Sequence, residues 1–396
     1  MKNKHCRIMV VTIILILSFA LTGCENIFGG SNGDTVKIGY IASLTSAGAY
    51  TDVPPKMAME DYIEEINNNG GLLGKKVELV TYDNSKDPPT ESVTIANRMI
   101  QKDKVIAILG PTSSRSTMPI IPLCNESQTP GIGISATNPS VTIDDATGNV
   151  HPYMFRVCFI DPYQGTALAS FAYNDLEIKK VASLMRVNDP YAQGLVQFFK
   201  ENFVDLGGEL LEMGYQDKEV EFRAQLSQAS DAGVEALFIP VTEYKDAAMI
   251  AKQADELGLK FTYLFPDGAY ASELLDVAGK ELEGAYISTG VSEDDPAFAE
   301  YKEAFNKKHE SSGYTANIFA YYALDAIKLL EYAVNEAQSF EGEAIKDALE
   351  NAKDVPLFTE PITIDPETHN PLNKTLNIVK VVDNKYELFR TYRPEE

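Results

Sequence analysis

The chain has 396 residues, 44% hydrophobic and 23% charged, with 34 Lys and Arg against 58 Asp and Glu, for a formal net charge of -24 at pH 7. That balance argues against a nucleic-acid partner and fits a soluble acidic surface. The length is more than one typical domain uses and comfortable for two.

At the N-terminus, Lys2, Lys4 and Arg7 precede an apolar run from Ile8 to Leu21, the layout of a secretory signal. The run falls short of the roughly 20 apolar residues of a membrane-spanning helix. It ends in Leu21-Thr22-Gly23-Cys24, which resembles the lipobox of bacterial lipoprotein signals. The expectation is a signal peptide over 1–23, a lipid on Cys24 and a flexible tether over 24–35 rich in Gly, Asn and Ser. An uncleaved anchor is the alternative, and either arrangement puts the folded part outside the cytoplasm. Cleavage would remove Cys6, leaving Cys124 and Cys158 either as a disulfide or as buried thiols, since both have apolar flanks. Nothing resembles a CxxC or HxxxH metal spacing.

β-rich runs then alternate with helical periods: strand 36–42, helix from Lys56, strand 77–83, helix from Pro88, strand 105–110, helix from Ser114. In the first helix Met59, Tyr62, Ile63 and Ile66 recur at three and four, opposite Glu60, Asp61, Glu64 and Glu65. Such alternation predicts an α/β fold with parallel strands joined by right-handed helical crossovers. The pattern pauses at 151–159 and resumes with a helix from Asp161, strands near 181–187, 236–241 and 261–265, and intervening helices, which reads as a second lobe. The segment 285–290 and the helices from Pro296 and Thr315 are expected to return to the first lobe, and the tail to form hairpin-like β structure. The predicted lobes are 36–157 with 285–355, and 158–284 with 356–396.

In open α/β sheets, ligands meet the loops after strand ends, near helix N-termini. GPTSSRS, 110–116, lies at such a place, and capping alone needs one hydroxyl. A serine nucleophile lacks Gly-x-Ser-x-Gly, and His309 and His369 sit in polar, exposed-looking segments. GGLLGKK, 70–76, has the wrong spacing for a phosphate loop and follows a helix. Three more strand ends contribute Ser135, Thr137 and Asn138, then Asp267, then Tyr191 at a helix start. Each has a bland reading as an ordinary turn or cap. Together they offer hydroxyls and backbone N–H groups for a carboxylate and a carboxylate for an ammonium, so a zwitterion fits.

The ordered segments IGYIASLTSAGAYTD, EDYIEEINNNGGLLGKKVELVTYDNSKDPPT, LGPTSSRSTMPIIPLCNESQTPGIGISATNPSV, YMFRVCFIDPYQGTALASF, DPYAQGL and FPDGAY resemble the extracytoplasmic solute-binding proteins of the leucine/isoleucine/valine-binding type, which feed ABC importers. The resemblance spans essentially the whole processed chain. It implies the type I periplasmic binding fold, two Rossmann-like lobes with three hinge crossings, and a small-molecule amino acid, branched-chain or otherwise apolar, closed between them. It implies no catalysis, no cofactor and no metal, a monomer lipid-anchored to the cell membrane, and an ABC permease as partner. By position, Ser114 and Thr137 would hold the ligand carboxylate, and the Ser135 carbonyl and Thr137 hydroxyl would share its ammonium with Asp267. Tyr191 would close over the ligand, Tyr50 would wall the side-chain pocket, and Glu243 or Tyr244 would reach in from VTEYKD; Tyr270 and Phe319 are further candidate walls, with ordinary core packing as the bland reading, above all for Phe319 in the helix NIFAYYALDAI. Gly133 and Ile134 depart from the Ser-Pro that relatives often carry there, and Arg115 is expected to point outward. A same-fold sensor for a receptor or kinase, and a carrier of an amide, urea or aromatic acid, are the alternatives.

Overall fold

In the computed structural model, residues 35–393 are described apart from 47, 87, 294 and 373, so the signal segment and Cys24 lie outside the described residues. Five strands, β1 (Thr35–Ala42), β2 (Lys76–Asp83), β3 (Ile108–Leu109), β4 (Gly131–Gly133) and β5 (Met154–Arg156), form one sheet in the order β2-β1-β3-β4-β5. Seven more make the second: β6 (Lys180–Arg186), β7 (Glu209–Tyr215), β8 (Ala236–Phe238), β9 (Thr262–Phe265), β10 (Tyr286–Thr289), β11 (Leu376–Val382) and β12 (Lys385–Tyr392). Their order is β12-β11-β10-β9-β8-β6-β7, parallel except for β11 and β12, which pair antiparallel at one edge. The architecture is therefore α/β with two largely parallel sheets, and the chain crosses between them after β5, after β10 and before β11.

The pause expected at 151–159 is a strand: β5 pairs with β4, Ile132 opposite Phe155, in a run short enough for its periodicity to escape notice. Two expected boundaries also move. Tyr286–Thr289 does not return to the first sheet, because all four residues are buried and Ile287 pairs with Phe265 of β9. Residues 356–371 stay with the first sheet instead. Phe358 and Thr359 donate backbone N–H to the buried Asp325 at 2.7 and 2.9 Å, and His369 stacks on Phe155 at 4.1 Å. His369 is fully buried, with one ring nitrogen 3.0 Å from the Met154 carbonyl and the other 3.1 Å from Glu350, contrary to its exposed-looking sequence setting. His309 is mostly covered and pairs with Asp61 at 2.8 Å. Cys124 and Cys158 are buried free thiols.

The helix expected from Lys56 begins at Ala49 and runs to Asn68, with Pro54 and Pro55 inside it. Paired prolines suit a helix start, and here they fall in its second turn. Proline at 54 cannot donate to the Tyr50 carbonyl four residues back, and the side chain of Asn317 donates to that oxygen instead, at 2.7 Å. Asn317 also caps the helix Ile318–Ala337 by accepting from the N–H of Ala320. The two longest helices of the first half are thus tied at their N-termini, which fixes Tyr50 and Phe319 side by side, ring centroids 6.1 Å apart. Below them the buried faces carrying Ala58, Met59 and Ile63 and carrying Ala323, Ile327 and Leu330 share one apolar core with Ile38 and Tyr40 of β1.

Candidate functional site

Between the sheets lies a small cavity of about 50 Å³, lined by Thr51, Thr112, Ser113, Ser114, Ser135, Tyr191, Thr242, Asp267, Gly268 and Phe319. Of the expected site residues, Ser114, Ser135, Tyr191 and Asp267 line it; Tyr50, Thr137, Glu243 and Tyr244 do not.

Ser114 opens the helix Ser114–Thr117, with Ser113 as an extended cap residue. The N–H groups of Ser116 and Thr117 bond back to the Ser113 carbonyl at 3.1 and 3.0 Å, and those of Ser114 and Arg115 precede the helix's own hydrogen bonding. The Ser114 hydroxyl accepts from the N–H of Asn138 at 3.2 Å, which knits the two hydroxyl-bearing loops together and leaves its proton to donate. Ser135 donates to the Thr112 carbonyl at 3.0 Å. On the opposite wall Asp267 follows β9 and is buried. Its Oδ1 accepts from the Tyr191 hydroxyl at 2.7 Å and from Gln164 Nε2 at 3.0 Å. Burial pushes the Asp267 carboxyl above its usual range, against the pull of those two donors. A cation beside it would restore the charged form. The Asp189 side chain caps the helix Pro190–Asp205 by accepting from the Tyr191 N–H, which points the phenol at Asp267.

Thr137 is fully buried and its hydroxyl has no partner at hydrogen-bond distance; its carbonyl accepts from the Asp161 N–H at 3.0 Å. Asp161 is itself fully buried with both oxygens unpartnered. Burial drives its carboxyl well above the carboxylate range, with Asp267 adding to the rise and the charge of Arg156 opposing it. Tyr50 sits beside the cavity as a brace. Its hydroxyl donates across to the carbonyls of Gly268 at 2.8 Å and Thr242 at 3.2 Å, and its ring meets Tyr244 edge-on at 4.9 Å. Glu243 is engaged with Arg186 at 3.4 Å. Arg115 is absent from the cavity lining but does not simply face solvent: it lines an adjoining cleft and pairs with Asp217 of the other half at 3.0 Å.

Sequence reasoning missed Thr51, in the first turn of the helix Ala49–Asn68, and Thr242 and Gly268, small residues on strand-end loops that read as turn formers; Thr112 and Ser113 belong to the GPTSSRS stretch but were not singled out as cavity residues. It also missed Asp52, the buried carboxylate behind the hydroxyl wall. Asp52 Oδ1 accepts from the Thr112 hydroxyl, Oδ2 takes the Ser43 N–H at 2.7 Å, and the Tyr40 hydroxyl bonds its carbonyl at 3.0 Å. Burial pushes this carboxyl up to about 7, partly offset by the Ser43 and Tyr40 hydrogen bonds. The folded state therefore holds the proton more tightly than the unfolded chain, whose carboxyl titrates near ~4. The stability this gives is fully present below that value and is lost as pH rises through 7. The thermal midpoint of the wild type minus that of Asp52→Asn should accordingly fall between pH 5 and pH 8. Equal differences at both pH values would mean that Asp52 does not titrate there.

The sequence matches the family description "Periplasmic binding protein" over residues 35–385. An amino acid binding protein of Pseudomonas aeruginosa is 29% identical over 325 residues, covering 81% of this chain and 84% of its own. The crystal structure of the leucine binding protein LivK from Thermotoga maritima superposes with a TM-score of 0.82 at 30% identity, covering 91% of this chain and 99% of the other. An ABC-transporter solute binding protein from Rhodopseudomonas palustris, solved with 3,4-dihydroxybenzoic acid, gives 0.78 at 25%, covering 91% and 98%.

Proposed function

Because the chain belongs to the periplasmic binding protein family, we propose that it captures a free α-amino acid between its two halves and hands it to an ABC importer permease. One observation carries this reading: a single cavity has a donating hydroxyl at a helix start, Ser114, on one wall and a buried carboxylate, Asp267, on the other. Removing an ammonium or a carboxylate from water is costly unless each meets a charged or multiply hydrogen-bonded partner, and these walls supply one of each. The ligand carboxylate lies against Ser114 and the N–H groups that open its helix, and the ammonium against Asp267 and the Ser135 carbonyl.

Capture proceeds by closure. Contacts from Tyr191 and Asp267 exist only when the second half meets a ligand seated on the first, so they bias the equilibrium toward the closed form. The protein makes and breaks no bond in its ligand. It works as a monomer outside the cytoplasm, held at the membrane by a lipid on Cys24.

The test is thermal denaturation of the purified full chain in mild detergent, stripped of ligand by unfolding and refolding, against the common amino acids with aromatic acids and amides as controls. A ligand at ~100 times its dissociation constant adds roughly 2.7 kcal/mol. One or a few α-amino acids should raise the midpoint. A response to dihydroxybenzoate with silence from every amino acid would replace this reading with aromatic-acid capture, the ligand class of the Rhodopseudomonas relative.

A further inference from the structure

The cavity continues into a second, more polar cleft that shares Thr51, Ser113 and Thr242 with it but not Ser114, Ser135, Tyr191 or Asp267. The shared residues therefore mark the side away from the groups assigned to the carboxylate and ammonium, which is where a ligand side chain must lie. Among the described residues, those shared by cavity and cleft include no aliphatic side chain: their carbon surface is threonine methyl, and the Phe319 ring is the one apolar residue of the cavity's own lining.

The hydroxyls there have a definite polarity. Thr51 donates to the Gly48 carbonyl at 2.8 Å and Thr242 to the Asp189 carboxylate at 3.3 Å, while Ser135 donates to the Thr112 carbonyl. A hydroxyl has one proton and two lone pairs. With the proton committed inward, Thr51 and Thr242 present only acceptors to the ligand. The charges of the adjoining cleft are committed as well. Arg115 pairs with Asp217, Arg186 with Asp217, Glu243 and Asp246, and Asp189 with the Tyr191 N–H. Asp52 of the cleft is committed to the Ser43 N–H and the Thr112 hydroxyl. Among the described residues no free charge faces the side-chain end, and an aliphatic group closed against it would leave these oxygens without water or partner.

Resting on the amino-acid reading above, we infer that the ligand's side chain carries a hydrogen-bond donor, a hydroxyl or a primary amide, that pairs with Thr51 and Thr242. The preferred ligands are serine, threonine, asparagine or glutamine rather than leucine, isoleucine or valine. A site built to hydrogen-bond a polar group discriminates strongly against the analogue lacking it.

Isothermal titration with two near-isosteric pairs, threonine against valine and asparagine against leucine, reads this directly on the refolded full chain. The polar member of at least one pair should bind ten times more tightly or better. Thr242→Val or Thr51→Val should shrink that ratio, mainly by weakening the polar ligand. Valine and leucine binding as tightly as their partners, with Asp267→Asn still abolishing the response, would overturn the donor inference and leave the amino-acid reading standing. A ratio untouched by both threonine variants would overturn the placement of the donor at these residues. Silence from all four ligands and from every other α-amino acid would remove the amino-acid reading and this inference together.

Discussion

Replacing Asp267 with Asn should abolish amino-acid binding while leaving the protein folded. The amide keeps the shape of the carboxylate and an oxygen that accepts from Tyr191 and Gln164, so the buried hydrogen bonds of this wall survive. What disappears is the charge. Truncating one partner of a buried, hydrogen-bonded charge pair costs about 2–5 kcal/mol, equivalent to a rise in Kd of roughly 30-fold to several thousand-fold. The Asp267→Ala variant should lose binding at least as completely and also lose thermal stability, because the Tyr191 hydroxyl and Gln164 amide would then face an acceptor that is gone. Titration calorimetry for affinity and circular dichroism for folding separate the two effects. Wild-type affinity in a folded Asp267→Asn variant would mean that no ammonium sits at this carboxylate.

Gly268→Ala should be the most damaging change of a single methyl group in the cavity. A Cβ at this position would fall inside the contact distance of the Val241 carbonyl oxygen, a backbone atom with no rotamer to escape into, and would crowd the Tyr191 hydroxyl at 3.1 Å. Relief requires the loop itself to move. Its neighbour Asp267 would shift with it, and so would the Gly268 carbonyl that receives Tyr50 from the other half. Overpacking of this kind typically costs about 1–3 kcal/mol, and the loss of binding should exceed the loss of stability, since closure and ammonium recognition are disturbed together. Unchanged ligand response in the alanine variant would show that the loop yields more freely than its packing suggests.

The long parallel strands were legible in the sequence because burial on both faces writes them as continuous apolar runs, VASLMRV being the clearest. β5 was not, since only three residues pair and histidine and proline precede them. The start of the first helix was obscured by Pro54 and Pro55, which suit a helix start; the side chain that satisfies the freed carbonyl, Asn317, comes from far along the chain. At the site, Ser114, Ser135, Tyr191 and Asp267 announced themselves by lying at strand ends and helix starts. Thr51 and Thr242 did not, because a threonine in a helix's first turn or in a loop says nothing about which way its proton points. That direction is set by Gly48 and Asp189, and only folding brings Asp189 to Thr242.

The brace formed by Tyr50 ends on two main-chain oxygens, those of Thr242 and Gly268, and every residue type carries such an oxygen. Position 242 can therefore mutate, altering what the cavity prefers, without erasing the grip that brings the halves together. A duplicated gene would inherit a working clasp and be free to drift toward a new cargo one side chain at a time, so that paralogues with unlike diets could diverge through folded, functional intermediates.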